Sequence, residues 1–518
     1  MINISKKQGV IALSVLLSAI VVLGKGYAVD TYDKYVALWL ILAGLLAFAC
    51  VILSSRKIFS PMFEKIAMVA SVSIPFLTAN VDMDTFWIVS VGRNILKHGF
   101  DGIDRINFYH FHSIAQQWLT AVTLAEIDRY LGRCGLIFFT GVIGLLFAYV
   151  TYQAARETKI PWTVTLCVMV VYMHFLSTRP FMISALLLAV EYLLFRRGKY
   201  WMIPVTGILF INIHMALWPM QILLLGTLLV EAFFEKRLTL EQIICVALVV
   251  PAALLNPYGQ EGFLYPFSIM SKNLSYLTEM ASPLRYFTVC STTFIMELLF
   301  VGQIVVSSVW HKKRMRIGPL IALAGTMGMT ATAGRHVVLT CIPLPYILAE
   351  FASGEKAEGK EKVGMVMSAT VIACLLVASY TDVINKEQIR YQKAIDVLDG
   401  QPSGVLYTGM NAGGYASYRG YHPYMDGRTE PHYLAYNHEF DWWDEYLRSM
   451  GDAKPLVEKY RFDYALCDRD VDGAMITEMK KRHAKVLYSD SSCVLYKCTY
   501  SKKDGKSVAK RGVPAIRG

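Results

Sequence analysis

Residues 80–100 read NVDMDTFWIVSVGRNILKHGF. The stretch follows an apolar run at 66–79, of a kind that approaches a bilayer crossing. Two carboxylates, Asp82 and Asp84, therefore stand where the chain leaves a membrane. Residues 85–98 repeat apolar side chains at helical spacing, with Arg93 and Lys97 one turn apart and Gly99 as the stop. An aspartate heading a helix is an ordinary cap. One cap needs one carboxylate and two are present, so a catalytic or ligand-binding role stands beside the capping one. A second amphipathic run, QQWLTAVTLAEIDRYLG at 116–132, predicts two surface helices in one large external loop, with the carboxylates at its mouth.

The rest of the chain has the composition of a polytopic membrane protein. Of 518 residues, 55% are hydrophobic and 18% charged, whereas soluble chains carry about 25% charged. Apolar runs fall near 8–24, 35–53, 66–79, 134–153, 161–177, 182–195, 201–214, 220–234, 241–255, 292–310, 317–332, 336–350 and 363–380, about thirteen crossings. The first lacks a clear small-residue cleavage site and reads as a retained helix rather than a signal peptide. The net charge of +11 does not call for a nucleic-acid partner, because Lys and Arg gather in short loops between the runs. With the N-terminus in the cytoplasm every second loop is basic, as the positive-inside bias requires. Ten cysteines show no CxxC and no metal-ligand spacing.

That topology puts DMD (82–84), STRP (177–180), NIHMALWP (212–219), NPYG (256–259), AGRH (333–336) and DGR (426–428) on the extracytoplasmic side. Scattered decoration would fall on both faces, so the convergence points to one site. Arg179 has two readings: snorkelling to headgroups, or a bidentate clamp on a phosphate at the break set by Pro180. Arg335 and His336 form a second basic pair and a candidate phosphate contact, and His214 is either a satisfied core residue or part of the site. Asn256 to Gly259 is first a turn signal. In 411–433 Gly413 and Gly414 permit close backbone approach, Asp426-Gly427-Arg428 is a plain turn or part of a site, and the aromatic and charged mixture suits a sugar-binding face.

After residue 382 short strand-like runs (GVLYT, YALCD, KVLYS, CVLYK) alternate with helix-like ones (YQKAIDVLDG, DWWDEYLRSMG, AMITEMKKRHA). The fold class expected is thus mostly α: N-terminal helices over 1–65, a transmembrane helical bundle over 66–382 with the external loop 80–133, an extracytoplasmic α/β domain over 383–500, and a basic tail over 501–518.

Together, Asp82-Met83-Asp84 with Trp87, Arg179-Pro180, Asn212-Ile213-His214, Asn256 to Gly259 and Gly413 to Arg428 resemble the GT-C superfamily of polytopic glycosyltransferases, over roughly residues 66 to 500. Two extra spans precede the Asp loop, Ile88 stands where a His often follows the Trp, and Met215 where Gly is usual. The resemblance implies an inverting transfer of sugar from a polyprenyl-phosphate donor to a glycan, lipid or protein acceptor of the cell envelope. It implies Asp84 as base, with Asp82 orienting it or helping hold a divalent cation (Mg or Mn). Arg179, Arg335, His336 and His214 would meet the donor phosphate; Trp87, Tyr415, Asp426 and Arg428 would meet acceptor or sugar. The reading requires Asp84 and both arginines to share one pocket. Two alternatives remain: a non-enzymatic transporter, flippase or assembly partner for lipid-linked glycans, and a polymerase or ligase of lipid-linked oligosaccharides. A transporter carries its polar groups midway through its spans; here they sit mostly at outer ends.

Overall fold

The computed structural model describes residues 59–158, 160–173, 176–270, 282, 316–352 and 390–500. The expected crossings at 8–24, 35–53, 292–310 and 363–380, and the basic tail, lie outside the described residues.

The first half is helical: α1 (Phe59–Thr78), α2 (Met83–His98), α3 (Trp118–Ala155), α4 (Pro161–Met173), α5 (Pro180–Arg196), α6 (Met202–Ile213), α7 (Pro219–Phe234), α8 (Leu240–Ala252) and α9 (Gln260–Met270). Then follow α10 (Ile317–Thr332) and α11 (Leu344–Ala352). Trp118–Ala155 and Met215–Phe234 are long and apolar enough to cross a membrane by length and composition, while α6, α8 and α10 are shorter apolar helices. Their outward faces leave Phe138, Leu146, Leu209, Leu223, Phe233 and Ile244 exposed, an exterior suited to lipid rather than water.

Three sequence expectations are corrected. The run at 116–132 forms a helix but not a surface one: it packs on α2, and at Gly132 (φ 59°, ψ −158°), a backbone setting that glycine tolerates, the chain leaves helical geometry before the apolar helix that runs on to Ala155, the two together labelled α3. Arg93 pairs with Asp128 of α3 at 2.6 Å rather than resting beside Lys97, so α2 is a packed helix, not a surface one. Gly92 makes that packing possible, since any Cβ there would collide with the Ala121 carbonyl of α3. The run at 336–350 divides into a 3-10 segment, Gly334–Cys341, and α11, because Pro343 between them cannot donate a helical hydrogen bond.

The second half holds α12 (Gln392–Asp399), β3 (Leu406–Thr408), α13 (Met410–Tyr418), α14 (Leu434–Asn437), α15 (Trp442–Ser449), α16 (Lys454–Tyr460), β4 (Tyr464–Asp468), α17 (Gly473–Lys481), β5 (Lys485–Ser489) and β6 (Cys493–Lys497). The strands form one sheet in the order β3-β4-β6-β5, with β3 parallel to β4 and the other pairs antiparallel. Each lies where its apolar run was quoted above. The earlier two-stranded ribbon, β1 (Ile103–Asp104) with β2 (Phe111–His112), belongs to the loop after α2. The two halves share a core: Phe86, Ile88, Val89 and Ile95 of α2 bury against Tyr415 and Ala416 of α13, Tyr391, and Leu406 and Tyr464 of the sheet.

Candidate functional site

The site begins at the junction of α1 and α2. Asp82 caps α2: its Oδ1 accepts from Thr85 N–H at 3.0 Å, and its Oδ2 is ion-paired with Arg179 Nε. Asp84, in the first turn, receives Arg179 Nη2 on Oδ2 at 3.1 Å and the Trp87 indole N–H on Oδ1 at 3.0 Å. One guanidinium thus bridges both carboxylates of the DMD motif. Arg179 is held there because the segment before α5 pairs with the segment before α2. Thr178 N–H donates to the Asn80 carbonyl at 2.9 Å, and Thr85 Oγ1 lies 3.0 Å from the Thr178 carbonyl. Pro180 then starts α5 at a position where no amide is needed.

The Asp426-Gly427-Arg428 turn closes over this pair from the other half of the chain. A Cβ added at Gly427 would stand 2.9 Å from Asp84 Oδ1 and 3.2 Å from the Trp87 ring. The glycine lets backbone approach the carboxylate. Its neighbours are held inside the protein. Arg428 pairs with Asp104 and Asp426 and donates to Asn107 Oδ1 at 3.0 Å, with Arg428 5% exposed and Asp426 fully buried. Burial alone would raise the Asp426 pKa, but the Arg428 charge, the Arg428 hydrogen bonds and the nearby His432 imidazole (3.6 Å) outweigh it and hold the carboxyl below its ordinary value. Burial opposes the charge of Arg428 as well, and Asp104 and Asp426 more than restore it. The turn is stitched to the external loop by further bonds: Tyr109 Oη to the Tyr424 carbonyl at 2.7 Å, and Asn107 Nδ2 to the Pro423 carbonyl at 3.1 Å.

The other expected residues are placed as follows. His214 ends α6, and its Nδ1 lies 3.0 Å from Ser184 Oγ, one turn beyond Pro180. Arg335 lies within electrostatic range of both His214 and His336. Tyr415 sits in the shared core rather than on a sugar-facing surface: its ring meets Phe86 edge-on at 4.9 Å, and its hydroxyl accepts from Arg419 at 3.2 Å. Asp426 likewise faces the interior, whereas Trp87 and Arg428 line an open cleft. Asn256 is a turn residue: Oδ1 accepts from Tyr258 N–H at 2.9 Å and Nδ2 donates to the Gly259 carbonyl at 3.0 Å.

Sequence reasoning missed Asp104, Asn107 and Thr178. Their partners lie about a hundred to over three hundred residues away along the chain (|i−j| of 98 for Thr178–Asn80, 324 for Arg428–Asp104), and no local period marks them. Among the described residues no group of three or more His, Cys, Asp or Glu side chains is arranged to hold a metal ion. The donor set at Asp82 and Asp84 fits a guanidinium.

Apolar helices, a carboxylate-bearing loop at their edge and an α/β unit closing over it make up a fold that this chain shares with solved structures of ArnT. Among the solved structures it resembles are two of ArnT from Cupriavidus metallidurans. One is bound to undecaprenyl phosphate (TM-score 0.52, 12% identity, 86% of this chain and 98% of that one), and the other is in the apo state (TM-score 0.53, 11% identity, 84% and 98%). No family model matches the sequence, and no curated protein matches it either.

Proposed function

We propose that the chain is a membrane glycosyltransferase that moves a sugar from a polyprenyl-phosphate donor to a hydroxyl of an extracytoplasmic acceptor. One observation carries the reading: in a GT-C fold, Asp84 stays about one-third exposed while Arg179, Trp87 and the Gly427 backbone fix it on three sides. A carboxylate serving only as a cap would not need a second carboxylate, a bridging arginine and an indole.

In this reaction the acceptor oxygen attacks the anomeric carbon. The bond from that carbon to the phosphate oxygen breaks, and polyprenyl phosphate leaves with the electron pair. The acceptor proton goes to Asp84. Pairing with Arg179 weakens a carboxylate as a base. The hydroxyl becomes strongly acidic only as its bond to carbon forms, and a carboxylate suffices for that late proton transfer. Asp82 acts through Arg179, fixing the guanidinium that positions Asp84. The Arg335 guanidinium, with His336 and His214 near it as hydrogen-bonding groups, is suited to the leaving phosphate. Similarity to a structure that holds undecaprenyl phosphate supports a polyprenyl-phosphate partner.

The test is transfer of radiolabelled sugar from a polyprenyl-phosphate donor by purified protein in nanodiscs. Asp84→Asn is expected to abolish turnover by at least a hundredfold while the melting temperature stays within a few degrees. Undiminished transfer by that variant rejects the assignment.

A further inference from the structure

Glu191 and Gln221 face each other inside the helical bundle, where α5 packs on α7. Each is 1% exposed. Glu191 stands about three turns after Pro180 on α5, and Gln221 lies in the first turn of α7. Gln221 Nε2 donates to Glu191 Oε1 at 2.5 Å. The two remaining oxygens, Glu191 Oε2 and Gln221 Oε1, are buried and meet no donor. Native interiors supply a partner to such groups. Among the described residues no Lys, Arg or His pairs with Glu191. Its other polar neighbour is Thr206 of α6, and that hydroxyl gives its hydrogen to the Ile203 carbonyl at 2.9 Å. An ionised carboxylate here would stand in an apolar interior without a counter-charge, which is far costlier than burying the neutral acid.

We infer that this pair is a binding site for one proton. A carboxylic acid donates as well as accepts. With the proton on Oε2, Glu191 gives its O–H to Gln221 Oε1 while Gln221 gives its N–H to Glu191 Oε1. The two side chains then close a ring, and a single hydrogen accounts for both oxygens that lack a partner. Turning the amide over exchanges the roles of the two carboxyl oxygens, and one proton is still required. The ring holds α5, which presents Arg179 to the two aspartates, against α7, which follows His214, and it places no charge in the bundle. This pairing is independent of the transferase reading.

Infrared spectra of the full-length protein in an ester-free detergent test it, since lipid carbonyls are then absent. The difference spectrum of wild type minus Glu191→Gln at neutral pH is expected to show the carbonyl band of a protonated acid, with the ionised-carboxylate bands cancelling. Two amides close the same ring, so the melting temperature of Glu191→Gln is expected to stay within a few degrees of wild type. That of wild type is expected to be the same in sodium chloride and in N-methylglucamine chloride. Loss of ionised-carboxylate bands in place of the acid band overturns the inference. So does a melting temperature that sodium raises in wild type and not in Glu191→Gln, which assigns the two oxygens to a cation. If Glu191→Gln does not fold, Gln221→Glu reads the same property: two acids close the ring and a second protonated-acid band appears, whereas a gain of ionised-carboxylate bands overturns the inference.

Discussion

Replacing Arg428 with Met is the sharpest test of how the two halves of the site are held together. The guanidinium is 5% exposed and neutralises Asp426, which is fully buried, and Asp104, which is 6% exposed. Methionine retains much of the volume and removes the charge, leaving two buried carboxylates without their shared counter-charge. Breaking a buried pair from one side costs about 3–5 kcal/mol. At ~1.4 kcal/mol per tenfold, that raises the population with the 422–432 segment released from the external loop by roughly two to three and a half orders of magnitude. Limited proteolysis at low protease reads this population, because cleavage then follows the open fraction. Adding Asp104→Asn and Asp426→Asn to the same chain is expected to recover most of the loss, since no charge is then orphaned. The Asp426 pKa lies below its ordinary 3.8 in the folded state, so its stabilising share is complete above that pH and disappears as pH falls through the folded value. A cleavage rate within tenfold of wild type in Arg428→Met would refute the network's role.

Three further outcomes follow from the geometry. Gly427→Ala puts a methyl 2.9 Å from Asp84 Oδ1, and we expect turnover to fall at least tenfold with an unchanged melting temperature, checked by the same transfer assay. Arg179→Lys keeps the charge and loses the fork that bridges Asp82 and Asp84; kcat is expected to drop ten- to a hundredfold with folding retained, and full activity in this variant would show that the bridge is dispensable. Burial raises Asp472 from 3.8 to about 7, so the folded state holds its proton where the unfolded chain has lost it. Stability of this half therefore declines as pH rises from about 4 to 7, by on the order of a few kcal/mol, and Asp472→Asn flattens that slope in thermal melts.

Much of the fold is legible from period and punctuation. Alternating or continuous apolar runs such as YALCD and CVLYK become β4 and β6 because a sheet covered on both faces wants unbroken apolar strands. Gly99 stops α2 with φ 75°, and His214 and Pro180 mark helix ends where the residues themselves forbid continuation or favour a turn. The carboxylate pair was also legible, since two aspartates exceed what one cap requires. What the sequence hides is pairing. Nothing near Arg179 says that its fork meets Asp82 and Asp84, and nothing near Arg428 names Asp104. Both are settled by packing between segments far apart in the chain. Gly132 ends the first helix of α3 as its residue type suggests, and the apolar run beyond it starts a second that packs into the bundle.

The external loop is touched, in turn, by Thr178 after α3 and α4, by Met215 after α5 and α6, and by Tyr258 after α7 and α8. For a chain whose helices cross a bilayer, every return to the same place closes an even tally of crossings. In such a chain parity is written into the hydrogen bonds that Asn80, Thr85, Ala115 and Gln116 make with the later segments. A single helix that failed to insert would send every later segment to the opposite face. Asp84 would then lose Arg179, or Ala115 would lose Tyr258, or both, so for such a chain the path through the bilayer and the arrangement around Asp84 stand or fall as one.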